Sequence, residues 1–117
     1  MAMEVQYFED DQGRQPAREF IDGLDPKMRA KVFGRLLLLE EYGERLPMPF
    51  ARHLEDGIFE LRTPQGSNIT RLLYFFFVGN RAIATNGFVK KTQRTPRKEI
   101  ERAKKFREIW RSHNDRL

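Results

Sequence analysis

The sequence predicts an α+β domain with element order β-α-α-β-β-β-α, a small antiparallel-dominated sheet packed by an N-terminal α-hairpin and a C-terminal helix. Three observations predict it. Residues 26–42 carry a helical apolar period bracketed by Asp25-Pro26 and Gly43. Between Gly57 and Val89, three β-rich runs are separated by short turns of Gly, Asn and Ser, so they pair as consecutive hairpins. A second helical period follows Thr95-Pro96. A meander this apolar needs helices over its faces to stay in water. The 117 residues read as one domain spanning 1–117.

Each element follows from local chemistry. "EVQYF" (4–8) alternates and is rich in β-formers, so it reads as a short strand. "EDDQGR" is a turn. "QPAREFIDGL" opens a helix at Pro16, with Ala17, Phe20, Ile21 and Leu24 at helical spacing. Asp25 is a good N-cap for the next helix and Pro26 fits its first position. Met28, Val32, Leu36 and Leu39 form its apolar stripe, with Phe33 and Leu37 beside them, and Gly43 ends it. Lys27, Arg29 and Lys31 at its start oppose the helix macrodipole, and no functional reason is evident from the sequence.

"ERLPMPFARHLEDG" reads as a loop with two prolines. "GIFELRT" (57–63) is a strand with Ile58, Glu60 and Arg62 on one face and Phe59 and Leu61 on the other. "PQGSN" is a hairpin turn. "ITRLLYFFFV" (69–78) is nearly continuously apolar, which implies cover on both faces. "GN" (79–80) is a two-residue turn before the strand 81–89. Thr95 is expected to cap the last helix, with Pro96 at its first position and Ile100, Ala103, Phe106, Ile109 and Trp110 on its apolar side.

Charge is unevenly divided. Residues 1–60 hold 8 Lys/Arg and 13 Asp/Glu, a net of −5, while residues 61–117 hold 14 and 4, a net of +10. Such asymmetry points to an anionic partner for the second half, with a solvated basic helix as the plainer reading. No cysteine is present, so disulfides and Cys-based metal sites are excluded. No signal peptide is visible and no apolar run approaches a membrane span of ~20 residues. The expected location is cytoplasmic, with no membrane partner.

Arg71 interrupts the greasiest strand. A buried guanidinium must be paired or must open onto an anion. Arg62 lies on the neighbouring strand, and a register aligning the two would put both with Glu60 on one face. Two planar donor forks on such a face suit a phosphate; an internal Glu60–Arg71 or Glu60–Arg62 bridge is the structural alternative. Lys90 and Lys91 follow the last strand beside that face, and Arg94 and Arg97 extend the cationic line as a nucleic-acid backbone contact would. Alone, the lysine pair would be a solvated loop. Phe88 is a candidate for stacking on a base, or a core residue ending a strand. His53 could act as acid or base near neutral pH if it reaches the groove. His113, in the last turn of the final helix, is read as a helix end favoured by the dipole. Nucleotide-binding glycine motifs, HExxH and metal-ligand spacing are missing, so no cofactor or metal is expected.

"HLEDGIFELR", "TRLLYFF" and "NGFVKKTQRTPRKEIERAKK" together resemble the phage-derived HigB-like branch of the RelE/ParE toxin superfamily. The resemblance spans nearly the whole chain and implies the RelE-like fold. It implies a type II toxin that cleaves messenger RNA in the ribosomal A site, using the RNA 2′-OH as nucleophile. It also implies a cognate antitoxin with a helix-turn-helix domain. Carried over, Arg71 contacts the scissile phosphate, Arg62 is the arginine of the ELR block, and Lys90 and Lys91 occupy the place of the basic pair. Arg52, Phe88, Arg94 and Arg97 are taken as nucleic-acid contacts. The chain departs from some relatives in having Ile58 and Glu60 where they carry lysines, so His53, Glu60, Lys90 and Lys91 all stand as candidates for the general base. A non-enzymatic ParE-like toxin acting on DNA gyrase, and a non-catalytic RNA-binding module, are the competing readings.

Overall fold

The computed structural model describes residues 3–91 and 94–114. Along the chain run β1 (Glu4–Tyr7), α1 (Pro16–Asp22), α2 (Pro26–Tyr42), a 3-10 turn (Gly43–Arg45), β2 (Ala51–Glu55), β3 (Ile58–Gln65), β4 (Asn68–Phe77), β5 (Arg81–Lys90) and α3 (Arg97–Asn114). The strands form one mixed sheet in the order β1-β5-β4-β3-β2. β1 runs parallel to β5, and all other neighbours are antiparallel. The α+β expectation holds. Among the described residues, no helix is long and apolar enough to cross a membrane.

Two local readings need correction. Residues 51–55, read as loop, form β2 and pair with β3. Their signal was Asp56-Gly57, which bridges the paired residues Glu55 and Ile58 with φ of 51° and 76°. Positive φ at both central residues is what a tight two-residue hairpin turn demands, and Asp-Gly supplies it readily. Pro47 and Pro49 obscured the strand, but they stop just short of it. The β4–β5 turn, in turn, has three residues rather than two, because Phe77 pairs with Arg81. Pro64 is tolerated inside β3 because β2 no longer flanks the strand there.

The helices cover both faces of the sheet. α1 and α2 bury Ala17, Ile21, Met28, Val32, Leu36 and Leu39 against Leu61, Leu72 and Tyr74 of the strands. α3 packs Ala103, Phe106 and Trp110 against Ile58, Leu73, Phe75 and Ile83 on the opposite face. β4 therefore needs apolar side chains on both sides, which explains its unbroken run. α2 starts where its cap dictates: the Asp25 carboxylate accepts the Met28 N–H at 2.9 Å. α1 lies directly on the backbone of β5. A Cβ at Gly87 would sit 2.3 Å from Phe20 Cδ2, so this position must be glycine for the helix to approach.

α3 is pinned by polar contacts to four residues outside it. Asn86 of β5 donates to Glu99 Oε1 at 3.0 Å. Lys104 donates to Glu55 Oε2 at 2.5 Å. Arg107 donates to Asp56 Oδ2 at 2.8 Å. His113 in its last turn meets Asp11 at 3.2 Å.

Candidate functional site: a carboxylate shared by arginines

Strand alternation places Glu60 and Arg62 of β3 on the face covered by α3, and the register sets Arg62 directly opposite Arg71 of β4. Arg71 in turn faces Phe88 of β5. The expected convergence of Glu60, Arg62 and Arg71 is therefore present. Glu60 Oε2 accepts from Arg62 Nη1 at 2.6 Å and lies 3.8 Å from Arg52 Nε. Glu60 Oε1 accepts the Thr95 hydroxyl at 2.5 Å and lies 3.8 Å from Arg71 Nε. One carboxylate thus serves three guanidiniums and a hydroxyl. Arg71 also donates to the Arg94 carbonyl at 3.2 Å. Burial depresses the Arg71 pKa; Glu60 opposes that shift, and Arg62 and Arg52 add to it.

The cluster is sealed, which corrects the idea of an open two-arginine clamp. Glu60 and Arg71 are 0% exposed and Arg62 and Thr95 5%. The reason is Thr95. Expected as a helix cap, it sends its hydroxyl down to Glu60 instead, and the first helical turn closes on the Pro96 carbonyl, accepting from Glu99 N–H at 3.0 Å. The chain entering α3 thereby lies over the arginines. Phe88 is half-buried, and its ring is covered by the Arg71 guanidinium at 5.7 Å. It packs with the second core, the plainer of the two readings made for it.

The open feature lies beside the sealed one. Arg52, Arg94 and Arg97 line a hollow of about 160 Å³ with Leu54, Thr95 and Ile100. Arg52 belongs to both, since it reaches from the rim toward Glu60. Arg97 is held by Glu55 and by Glu101, the latter at 2.8 Å. Arg97 and Lys104 hold the Glu55 carboxyl down at about 2. Arg52, Arg62 and Arg71 all lie within 4 Å of the one carboxylate of Glu60. Three guanidiniums lining one hollow are the kind of donor set that suits an anion such as phosphate.

The remaining candidates divide. Lys90 and Lys91 stand exposed at the end of β5, and Lys90 shares the α3 face by alternation from Phe88. Neither lines the hollow. His53 does not join the site. It pairs with Phe59 while its neighbour Arg52 pairs with Glu60, so it points to the other face of the sheet. Its ring packs edge-on to Phe59 at 4.9 Å, and Nε2 accepts the Gly57 N–H at 3.2 Å. Glu60 is too deeply enclosed to meet a substrate as it stands and acts as the anchor of the arginines. Positions 92 and 93 of the cationic segment lie outside the described residues. Among the described residues, no group of three or more His, Asp or Glu could hold a metal ion.

Sequence reasoning missed the role of Thr95 and the placement of Arg52. For Arg52 the Asp56-Gly57 turn was available as a signal, since it implies a strand before it. For Thr95 nothing local distinguishes a cap from a long-range donor. A family model described as "Phage derived protein Gp49-like (DUF891)" matches residues 19–108. No match is found among curated proteins.

Proposed function

We propose that this chain, which belongs to the phage-derived Gp49-like family, associated with toxin–antitoxin systems, is a toxin that cuts messenger RNA in the ribosomal A site. Its partner is a cognate antitoxin with a helix-turn-helix domain. The observation that carries the reading is the hollow lined by Arg52, Arg94 and Arg97, set against the buried cluster in which Glu60 holds Arg62 and Arg71. Cleavage through the RNA 2′-OH forms a cyclic 2′,3′-phosphate and releases a 5′-OH. Its pentacoordinate transition state gathers negative charge on the phosphoryl oxygens, and fixed cations stabilise that charge most where water is excluded. In this scheme Arg52 and Arg94 hold the scissile phosphate. Arg62 and Arg71 act from beneath as fixed positive charge, and Glu60 positions them. His53 faces away and Glu60 is enclosed, so neither is placed to move the proton in this scheme.

Mapping of transcript ends after brief induction tests this. Wild type should yield new 5′-OH ends within coding regions. Arg52→Gln and Arg94→Gln, both at the rim, should lower cleavage by about 10- to 100-fold each while melting as wild type does. Unchanged cleavage in both variants refutes the assignment. Arg71→Ala is a poor probe, because its side chain is wholly buried and its loss unsettles the fold.

One observation favours a second reading. Glu60 already engages Arg62 and Arg71 internally, as a purely structural bridge would. A toxin that binds its target without chemistry, such as one acting on DNA gyrase, is compatible with that closure. Gyrase-dependent DNA breaks with intact transcripts would establish it over the nuclease.

A further inference from the structure

α2 carries an apolar outer face that the fold leaves uncovered. Leu37 is 66% exposed and Phe33 37%. Ala30 and Gly34 are exposed between and beside them. Gly34 has nothing within 4 Å of where a Cβ would stand, so another backbone can come close there. An interior helical glycine costs about 1 kcal/mol relative to alanine, and among the described residues no contact at that position repays it.

The charges on this face are arranged against the helix. Lys27 and Lys31 are exposed near the N-terminus of α2 and Glu41 near its C-terminus. The macrodipole favours the reverse order. Lys27 and Lys31 also form a like-charged i,i+4 pair, which is unfavourable on an isolated helix. Among the described residues, neither lysine nor Glu41 has an ion pair that would compensate.

We propose that this face is a two-fold interface with a second copy of this chain, the two α2 helices packing antiparallel across Gly34. Lys27 and Glu41 lie equally far from Gly34 on either side. A two-fold axis at Gly34 therefore sets Lys27 of each copy opposite Glu41 of the other. Leu37 and Phe33 of each copy are buried beside Ala30 and Gly34 of the other. The interface is isologous, as two-fold symmetry requires. The antiparallel macrodipoles attract, and the charge order that is unfavourable in one helix becomes complementary between two. α2 covers the opposite sheet face from α3, so the arginine hollow stays open in the pair. The inference does not depend on the catalytic reading.

Sedimentation equilibrium of the full chain over a concentration series tests it. Wild type should show a reversible monomer–dimer equilibrium. Lys27→Glu alone and Glu41→Lys alone should each weaken association by about 10-fold or more, because each puts like charges opposite one another at both ends. An equimolar mixture of the two variants should restore wild-type affinity to within about 3-fold, since every facing pair in the hybrid is again opposite in sign. Leu37→Glu should abolish association. Thermal melts separate association from folding, as Lys27→Glu agrees with the macrodipole and should leave the monomer at least as stable. A wild type that stays monomeric throughout, or a mixture that fails to recover, overturns the proposal. A monomeric wild type whose antitoxin binding is lost in Leu37→Glu would assign the face to a heterologous helix instead.

Discussion

Replacing Glu60 by Gln tests the arginine cluster most directly. The change keeps shape and volume and removes one negative charge. In the native structure that charge accepts Arg62 at 2.6 Å and the Thr95 hydroxyl at 2.5 Å, and lies 3.8 Å from both Arg71 and Arg52. All of this occurs at a carboxylate with 0% exposure. Breaking a buried charge pair by removing one partner costs about 3–5 kcal/mol, because the remaining charge stays desolvated. For a domain of this size, 1 kcal/mol moves Tm by roughly 3–6 °C. Glu60→Gln should therefore lower Tm by about 10–25 °C, a large share of a total stability of ~5–15 kcal/mol. The assay is thermal unfolding followed by circular dichroism, with and without inorganic phosphate at constant ionic strength. Phosphate should recover part of the loss, and should stabilise the variant more than wild type, if the cluster's positive charge attracts anions. A Tm within about 3 °C of wild type would refute the claim that Glu60 holds the arginines in place. An equal phosphate response in the two proteins would refute the link between that charge and anion uptake.

Two further outcomes follow from other contacts. Gly87→Ala drives a methyl into the Phe20 ring and should destabilise by about 1–3 kcal/mol in urea unfolding, with Phe20→Ala in the same chain recovering part of it. Equal stability of Gly87→Ala and wild type would mean α1 does not rest on β5 as described. Glu55, held at about 2 in the folded chain against 4.5 for an ordinary carboxyl, contributes stability that is fully present above about 4.5 and is lost as pH falls through about 2. Over that window the urea midpoint of wild type should fall more steeply than that of Glu55→Gln; parallel curves would show that Arg97 and Lys104 do not stabilise the carboxylate.

Much of this protein is legible in its sequence because the deciding forces are local. The limits of α2 follow from one carboxylate cap, one proline and one glycine within a 17-residue helix. The two-residue period alone puts Glu60 and Arg62 on one face, and the unbroken apolar run of β4 announces cover on both sides. Even β2, hidden behind two prolines, is foreshadowed by Asp56-Gly57. The tertiary structure decided whatever depends on partners far along the chain. Register set Arg62 against Arg71, and the pairing of β2 turned Arg52 toward Glu60 and His53 away from it. Thr95 bonds a carboxylate 35 residues earlier instead of capping its own helix. A hydroxyl before a helix has two acceptable uses of similar strength, and the choice between them belongs to whatever the fold brings beneath it. That choice closed the arginines off from solvent and moved the accessible positive charge to the neighbouring hollow.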